Sequence, residues 1–110
     1  MERVKTMNNN EIHDQVVDFI QSFNKFGVQV EQCFSNGRCY WFAAILKQRF
    51  PYNARILYDT LYGHFACEID GWIYDITGDI SDMEVNWQDW ETLKVYDPYL
   101  ALRLVRDCIL

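Results

Sequence analysis

The 110-residue sequence has no long apolar run, no basic excess and no Cys-x-x-Cys pair, and each absence removes a class of function. Its longest uninterrupted apolar stretch, Tyr40–Leu46, falls far short of the roughly 20 residues a membrane-spanning helix needs. The polar start Met1–Glu11 has no signal-peptide core, so neither a membrane nor an export route is expected and the expected compartment is the cytoplasm. The net charge is −6 and the ten Lys and Arg are scattered from Arg3 to Arg106, a distribution that repels a nucleic-acid duplex. No repeat, low-complexity tract or Gly/Ser-rich linker divides the chain. At this length it is expected to form one domain over residues 10–110, after a flexible leader over residues 1–9.

The four cysteines, Cys33, Cys39, Cys67 and Cys108, read as free thiols, since a disulfide framework belongs with a secretory signal. Even the shortest interval, Cys33 to Cys39, is longer than zinc sites use, and the acidic residues Asp75, Asp79, Asp82 and Glu84 lack the alternating spacing of a calcium loop. No metal and no organic cofactor is expected.

Half of the residues are hydrophobic and 16% are aromatic, enough to build a core. Ile12, Val16, Phe19, Ile20 and Phe23 recur at helical spacing from Asn10, with Gly27 placed to stop the helix. An extended piece over Val28–Phe34 and a turn at Ser35-Asn36-Gly37 lead into a second helix over Arg38–Phe50, closed by Pro51. Cys39 falls in its first turn, on the face of Phe42, Ala43, Leu46 and Phe50. Three strands follow, at Ala54–Asp59, Tyr62–Ile69 and Trp72–Thr77, the last two joined by Asp70-Gly71, a two-residue hairpin signal. Trp87, Trp90 and Leu93 lie at helical spacing, and Asp97-Pro98 opens a last helix to Cys108. Trp41, Trp72, Trp87 and Trp90 read mainly as core, and His13, at the edge of the first helix's apolar stripe, as a surface residue with no assigned role.

Counting outward from Asp70-Gly71 pairs Ile69 with Trp72, Glu68 with Ile73, Ala66 with Asp75 and His64 with Thr77. His64 and Asp75 then share a face as diagonal neighbours, about 7–8 Å apart at Cα and within side-chain reach. A loop one residue longer would send Asp75 to the other face. A thiol in the first turn of a helix feels the positive end of the dipole, which favours thiolate, and a neighbouring imidazole favours it further. Cys39 as nucleophile, His64 as base and acid, and Asp75 as the carboxylate that fixes the ring form a set suited to acyl transfer, with backbone N–H groups at the helix start receiving the oxyanion. Asn36, or Gln32 before it, has a side-chain amide able to donate to the same oxyanion, although Asn36 suits equally the turn it occupies.

Gly37-Arg38-Cys39-Tyr40-Trp41-Phe42-Ala43, Ala54-Arg55, His64, Gly71-Trp72 and Asp75-Ile76-Thr77 together resemble the core of the transglutaminase-like superfamily, itself distantly papain-like. The resemblance covers residues 37 to 77 and implies an α+β domain with the cysteine helix packed on a short antiparallel sheet, flanked by N- and C-terminal helices. It also implies the roles just given to Cys39, His64 and Asp75. Residues Tyr74–Gly78 with the late Arg-Asp-Cys look similar to small proteins of bacterial mobile elements. The expected function is a thiol-dependent hydrolase or transferase acting on a protein, peptide or small amide or thioester substrate. The alternative is a non-catalytic protein-binding module or mobile-element inhibitor that retains the fold.

Overall fold

The computed structural model describes residues 9–25, 39–60, 63–83 and 85–109. The expected leader, the extended piece at Val28–Phe34 and the turn at Ser35–Gly37 fall almost wholly on residues outside these segments. The described chain is an α+β domain with helices α1 (Asn9–Asn24), α2 (Cys39–Arg49), α3 (Trp90–Tyr96) and α4 (Pro98–Ile109). Its strands are β1 (Arg55–Asp59), β2 (His64–Ile69), β3 (Trp72–Asp75), β4 (Gly78–Asp79) and β5 (Trp87–Asp89), in one antiparallel sheet of order β4-β3-β2-β1-β5. Among the described residues, no helix is long and apolar enough to cross a membrane.

The helices form where apolar residues return every three or four positions. On α1, Ile12, Val16 and Ile20 are buried one above another, and on α2 Phe42, Ala43 and Leu46 continue the stripe that Cys39 begins. Pro51 has no backbone N–H to extend α2, whose last turn closes through Phe50 N–H donating to Leu46 O at 2.9 Å. Lys47 and Arg49 sit in that turn, where positive charge complements the dipole.

Strand alternation divides the sheet into two chemically different faces. Ile56 and Tyr58 on β1, Phe65, Cys67 and Ile69 on β2, and Tyr74 on β3 enter one core with the apolar stripes of α1 and α2 and with Trp90. Leu57, Asp59, His64, Ala66, Glu68, Ile73, Asp75, Trp87 and Asp89 lie on the opposite face. Arg55 on this face donates to Glu68 at 2.6 Å, with Asp89 3.8 Å away.

The hairpin has the expected register: Ile69 pairs with Trp72, Glu68 with Ile73 and Cys67 with Tyr74. Asp70 and Gly71 both have positive φ, 51° and 91°, as a two-residue turn matched to strand twist requires. Two strands depart from the expected three. β4 and β5 hold two and three residues, and they exist through their ladders with β3 and β1, not through local propensity. Trp87 is correspondingly in a strand and not in the helix its spacing predicted. The Asp89 carboxylate accepts the Thr92 N–H at 3.0 Å and so caps α3, starting the helix after Trp87 and not before it.

A Cβ added at Gly71 would meet nothing within 4 Å, so the cost of Gly71→Ala is conformational only. The variant is expected to lose about 1–2 kcal/mol in chemical denaturation, the penalty of a left-handed residue with a side chain. An unchanged midpoint would contradict the role given to this turn.

Candidate active site

Three elements end at one place. Cys39 is the first residue of α2, His64 the first of β2 and Asp75 the last of β3. Gly63, with φ of 69°, turns the chain immediately before His64, and its N–H donates to Asp59 O at 2.9 Å. The hairpin register then delivers Asp75 to the His64 ring: Nε2 lies 2.9 Å from Asp75 Oδ2. The other carboxylate oxygen, Oδ1, accepts the Thr77 backbone N–H at 2.8 Å and the Thr77 hydroxyl. Asp75 is thereby held from both ends and fixes the plane of the imidazole. With Nε2 engaged, Nδ1 is the ring nitrogen left for the Cys39 thiol, which is in hydrogen-bond contact with His64. Cys39 Sγ also accepts the Phe65 backbone N–H at 3.4 Å.

The electrostatics follow from these contacts. Burial alone would push the Cys39 thiol up. The hydrogen bond with His64, the Phe65 amide, the imidazolium charge and the thiol's own backbone N–H outweigh it, and the thiol lies below its ordinary value. His64 is pushed up to about 9, first by the hydrogen bond to Asp75 and then by Cys39, against the opposing effect of burial. Burial likewise works to raise the Asp75 carboxyl, but His64 and Thr77 hold it below the usual carboxylate range. At neutral pH His64 is therefore an imidazolium between the Asp75 carboxylate and a Cys39 thiol held below its ordinary value. Cys67 is the contrast: it is fully buried, and burial pushes its thiol up to about 12 against the smaller lowering effect of Lys47.

The surroundings include Asp59, which the sequence did not single out, and Trp87, which it read mainly as core. Asp59 stands directly across from His64 on β1, and Trp87 directly across from Asp59 on β5, so the three form a row on one face of the sheet. The Trp87 and His64 ring centroids are 6.4 Å apart. Fully buried Asp59 accepts the Asn86 N–H at 3.1 Å and ties β1 to the approach of β5. The Trp87 indole Nε1 is buried without a hydrogen-bond partner among the described residues, a donor left over beside the imidazole. Only β5, whose sequence does not announce a strand, brings Trp87 here. Asn36 and Gln32, the side-chain oxyanion candidates, lie outside the described residues. His13 is not the surface residue expected. It is half-buried, its Nδ1 2.7 Å from Tyr74 Oη and its ring centroid 4.2 Å from that of Trp72, because the edge of the α1 stripe rests on β3 and β4.

The model of the Phage YunG-like protein family matches residues 16–99, and the chain belongs to that family. No curated protein and no solved structure matches the chain. The family match overturns the expected membership of the transglutaminase-like or papain-like superfamily. The labels cysteine hydrolase and catalytic triad lose the support they drew from that membership. The arrangement of Cys39, His64 and Asp75 stands on its own geometry.

That geometry fixes an expectation for thiol reactivity. In native protein, iodoacetamide labelling of Cys39 is expected to persist to lower pH than that of a free thiol, which loses reactivity below about 8.5. In His64→Ala, the Cys39 profile is expected to move upward towards that of a free thiol, and Cys67 is expected to stay unlabelled in both. A wild-type profile titrating near 8.5 would contradict the ion pair.

Proposed function

We propose that this member of the Phage YunG-like family is a thiol enzyme that takes an acyl group from an amide or thioester. The observation that carries the reading is the position of His64, hydrogen-bonded on one side to Cys39 and on the other to Asp75. The Cys39 thiolate attacks the carbonyl carbon, and its electron pair forms the new C–S bond while the C=O electrons move to oxygen. The positive end of α2, whose first amides have no partner within the helix, supports that oxyanion. Collapse of the tetrahedral adduct breaks the C–N or C–S bond, and the His64 imidazolium gives its proton to the leaving amine or thiolate. Neutral His64 then removes a proton from water or an amine, which attacks the acyl thioester and regenerates the thiolate. Asp75 takes no proton in this scheme. It holds the ring and stabilises its positive charge.

The substrate class in this reading is a protein, peptide or small molecule with an accessible amide or thioester. No metal or organic cofactor enters any step. A reactive thiolate persists in a reducing compartment, which favours the cytoplasm as the site of action.

A second reading keeps the side chains and drops the turnover: a protein-binding module, such as a mobile-element inhibitor, in which the ion pair is structural. It is favoured by the burial of Cys39, which is only 7% exposed. Incubation with p-nitrophenyl acetate distinguishes the two. The enzyme reading expects release of nitrophenolate with an acetyl group on Cys39, detected by intact mass and peptide mapping. Cys39→Ala is expected to abolish the adduct, and Asp75→Asn to slow acylation about 100-fold, the order of a positioned acid–base catalyst. Folded wild-type protein that acquires no acetyl group on Cys39 would overturn the enzyme reading in favour of the binding module.

A further inference from the structure

We propose that Asn24, at the C-terminal end of α1, is a positioning residue for the Asp75 carboxylate and acts on it through the peptide group between Ile76 and Thr77. Asn24 Nδ2 donates to Ile76 O at 2.9 Å, across 52 residues of sequence. Ile76 and Thr77 form the two-residue turn between β3 and β4, where Asp75 pairs with Gly78. The carbonyl of Ile76 and the N–H of Thr77 belong to one peptide group, and that N–H is the donor to Asp75 Oδ1 at 2.8 Å. A trans peptide group is planar, so its C=O and N–H point in opposite directions and turn together. Fixing the carbonyl therefore fixes the direction of the N–H. Asn24, this peptide group, Asp75, His64 and Cys39 thus form one hydrogen-bonded sequence that begins on α1 and ends at the thiol. Bonds in such a chain polarise one another, so a donor on the Ile76 carbonyl strengthens the Thr77 N–H as a donor to the carboxylate.

Two observations set this bond apart from ordinary helix anchoring. α1 is already held to the sheet without it, since Ile12, Val16 and Ile20 are buried and His13 Nδ1 lies 2.7 Å from Tyr74 Oη. Asn24 also carries a cost. Its Oδ1 is buried with no hydrogen-bond partner among the described residues, and an unpaired buried acceptor is destabilising where an apolar side chain of similar shape is not. An asparagine left half satisfied in such a place is explained by what its other half holds. Without Asn24, Asp75 Oδ1 keeps the Thr77 hydroxyl, which rotates about its own bond, and a backbone N–H whose plane is free to tilt. The carboxylate then swings, and the bond from Oδ2 to the His64 ring weakens.

Titration of the His64 ring by NMR in Asn24→Ala and Asn24→Leu tests this in the resting protein. Among the described residues, the titratable side chains that stand against His64 are Cys39 on α2, Asp75 on β3 and Asp59 on β1, and neither substitution alters them. A lower midpoint therefore reports the hold on Asp75. Both variants are expected to keep the wild-type circular dichroism and to bring the His64 midpoint, about 9 in the wild type, down by about one pH unit. His13→Phe, which removes the hydrogen bond of α1 to Tyr74, is expected to lower the denaturation midpoint and to leave His64 where it was. An unchanged His64 midpoint in either folded Asn24 variant would overturn the proposal, as would an equal fall in His13→Phe, which would make α1 a scaffold only. The consequence for turnover rests on the acyl-transfer reading: both Asn24 variants are expected to acetylate Cys39 more slowly with p-nitrophenyl acetate. If no protein is acetylated while the His64 midpoint falls, that reading fails and the Asn24 tie stands. If all are acetylated at one rate and the midpoint holds, the tie fails and the reading stands.

Discussion

The hydrogen bond between His64 Nε2 and Asp75 Oδ2 is the interaction on which the site depends, and it is a product of strand register. Side chains alternate across a strand, so a slip of one residue in the β2–β3 ladder would carry Asp75 to the core face and leave the imidazole without its carboxylate. The register is secured where Asp70 and Gly71 both adopt positive φ, six residues from His64. A backbone conformation at the tip of the hairpin thus governs the electrostatics at its base. The same bond lifts His64 to about 9, which makes the imidazolium available to draw the Cys39 thiol below its ordinary value.

Burial acts against every charged member of this set, and the set survives because each charge has a partner. Cys67 shows the effect: it lies on the next strand position but one after Phe65, among the described residues no imidazole acts on it, and burial pushes it up to about 12 with Lys47 lowering it by less. Cys39 feels the same penalty and overcomes it through His64, the Phe65 amide and its own backbone N–H. Asp75 does so through Thr77 and His64. The two thiols share a core and differ in chemistry because one begins a helix against a histidine and the other fills a strand.

Much of this was legible in the sequence wherever the information is local. The α1 stripe, the cysteine at the start of α2, the Pro51 stop and the hairpin count all depend on residues a few positions apart. What depends on distant partners was not legible. β4 and β5 are too short and too poor in strand-forming residues to announce themselves, so Trp87 read as helical and its place beside His64, across Asp59, went unseen. His13 read as a surface group because nothing in α1 tells of Tyr74 and Trp72 waiting on β3. Family membership escaped for a related reason: a cysteine at a helix start followed by a histidine and an aspartate on a hairpin is a short motif, and short motifs do not determine ancestry.

The central claim is that His64 is an imidazolium held between the Asp75 carboxylate and the Cys39 thiol. Its most direct test is a titration of the His64 ring nitrogens by NMR from pH 5 to 10. Both nitrogens are predicted to be protonated at pH 7 and to lose that state near pH 9. A ring that is neutral at pH 7 and titrates near 6.5, like an isolated histidine, would contradict the account.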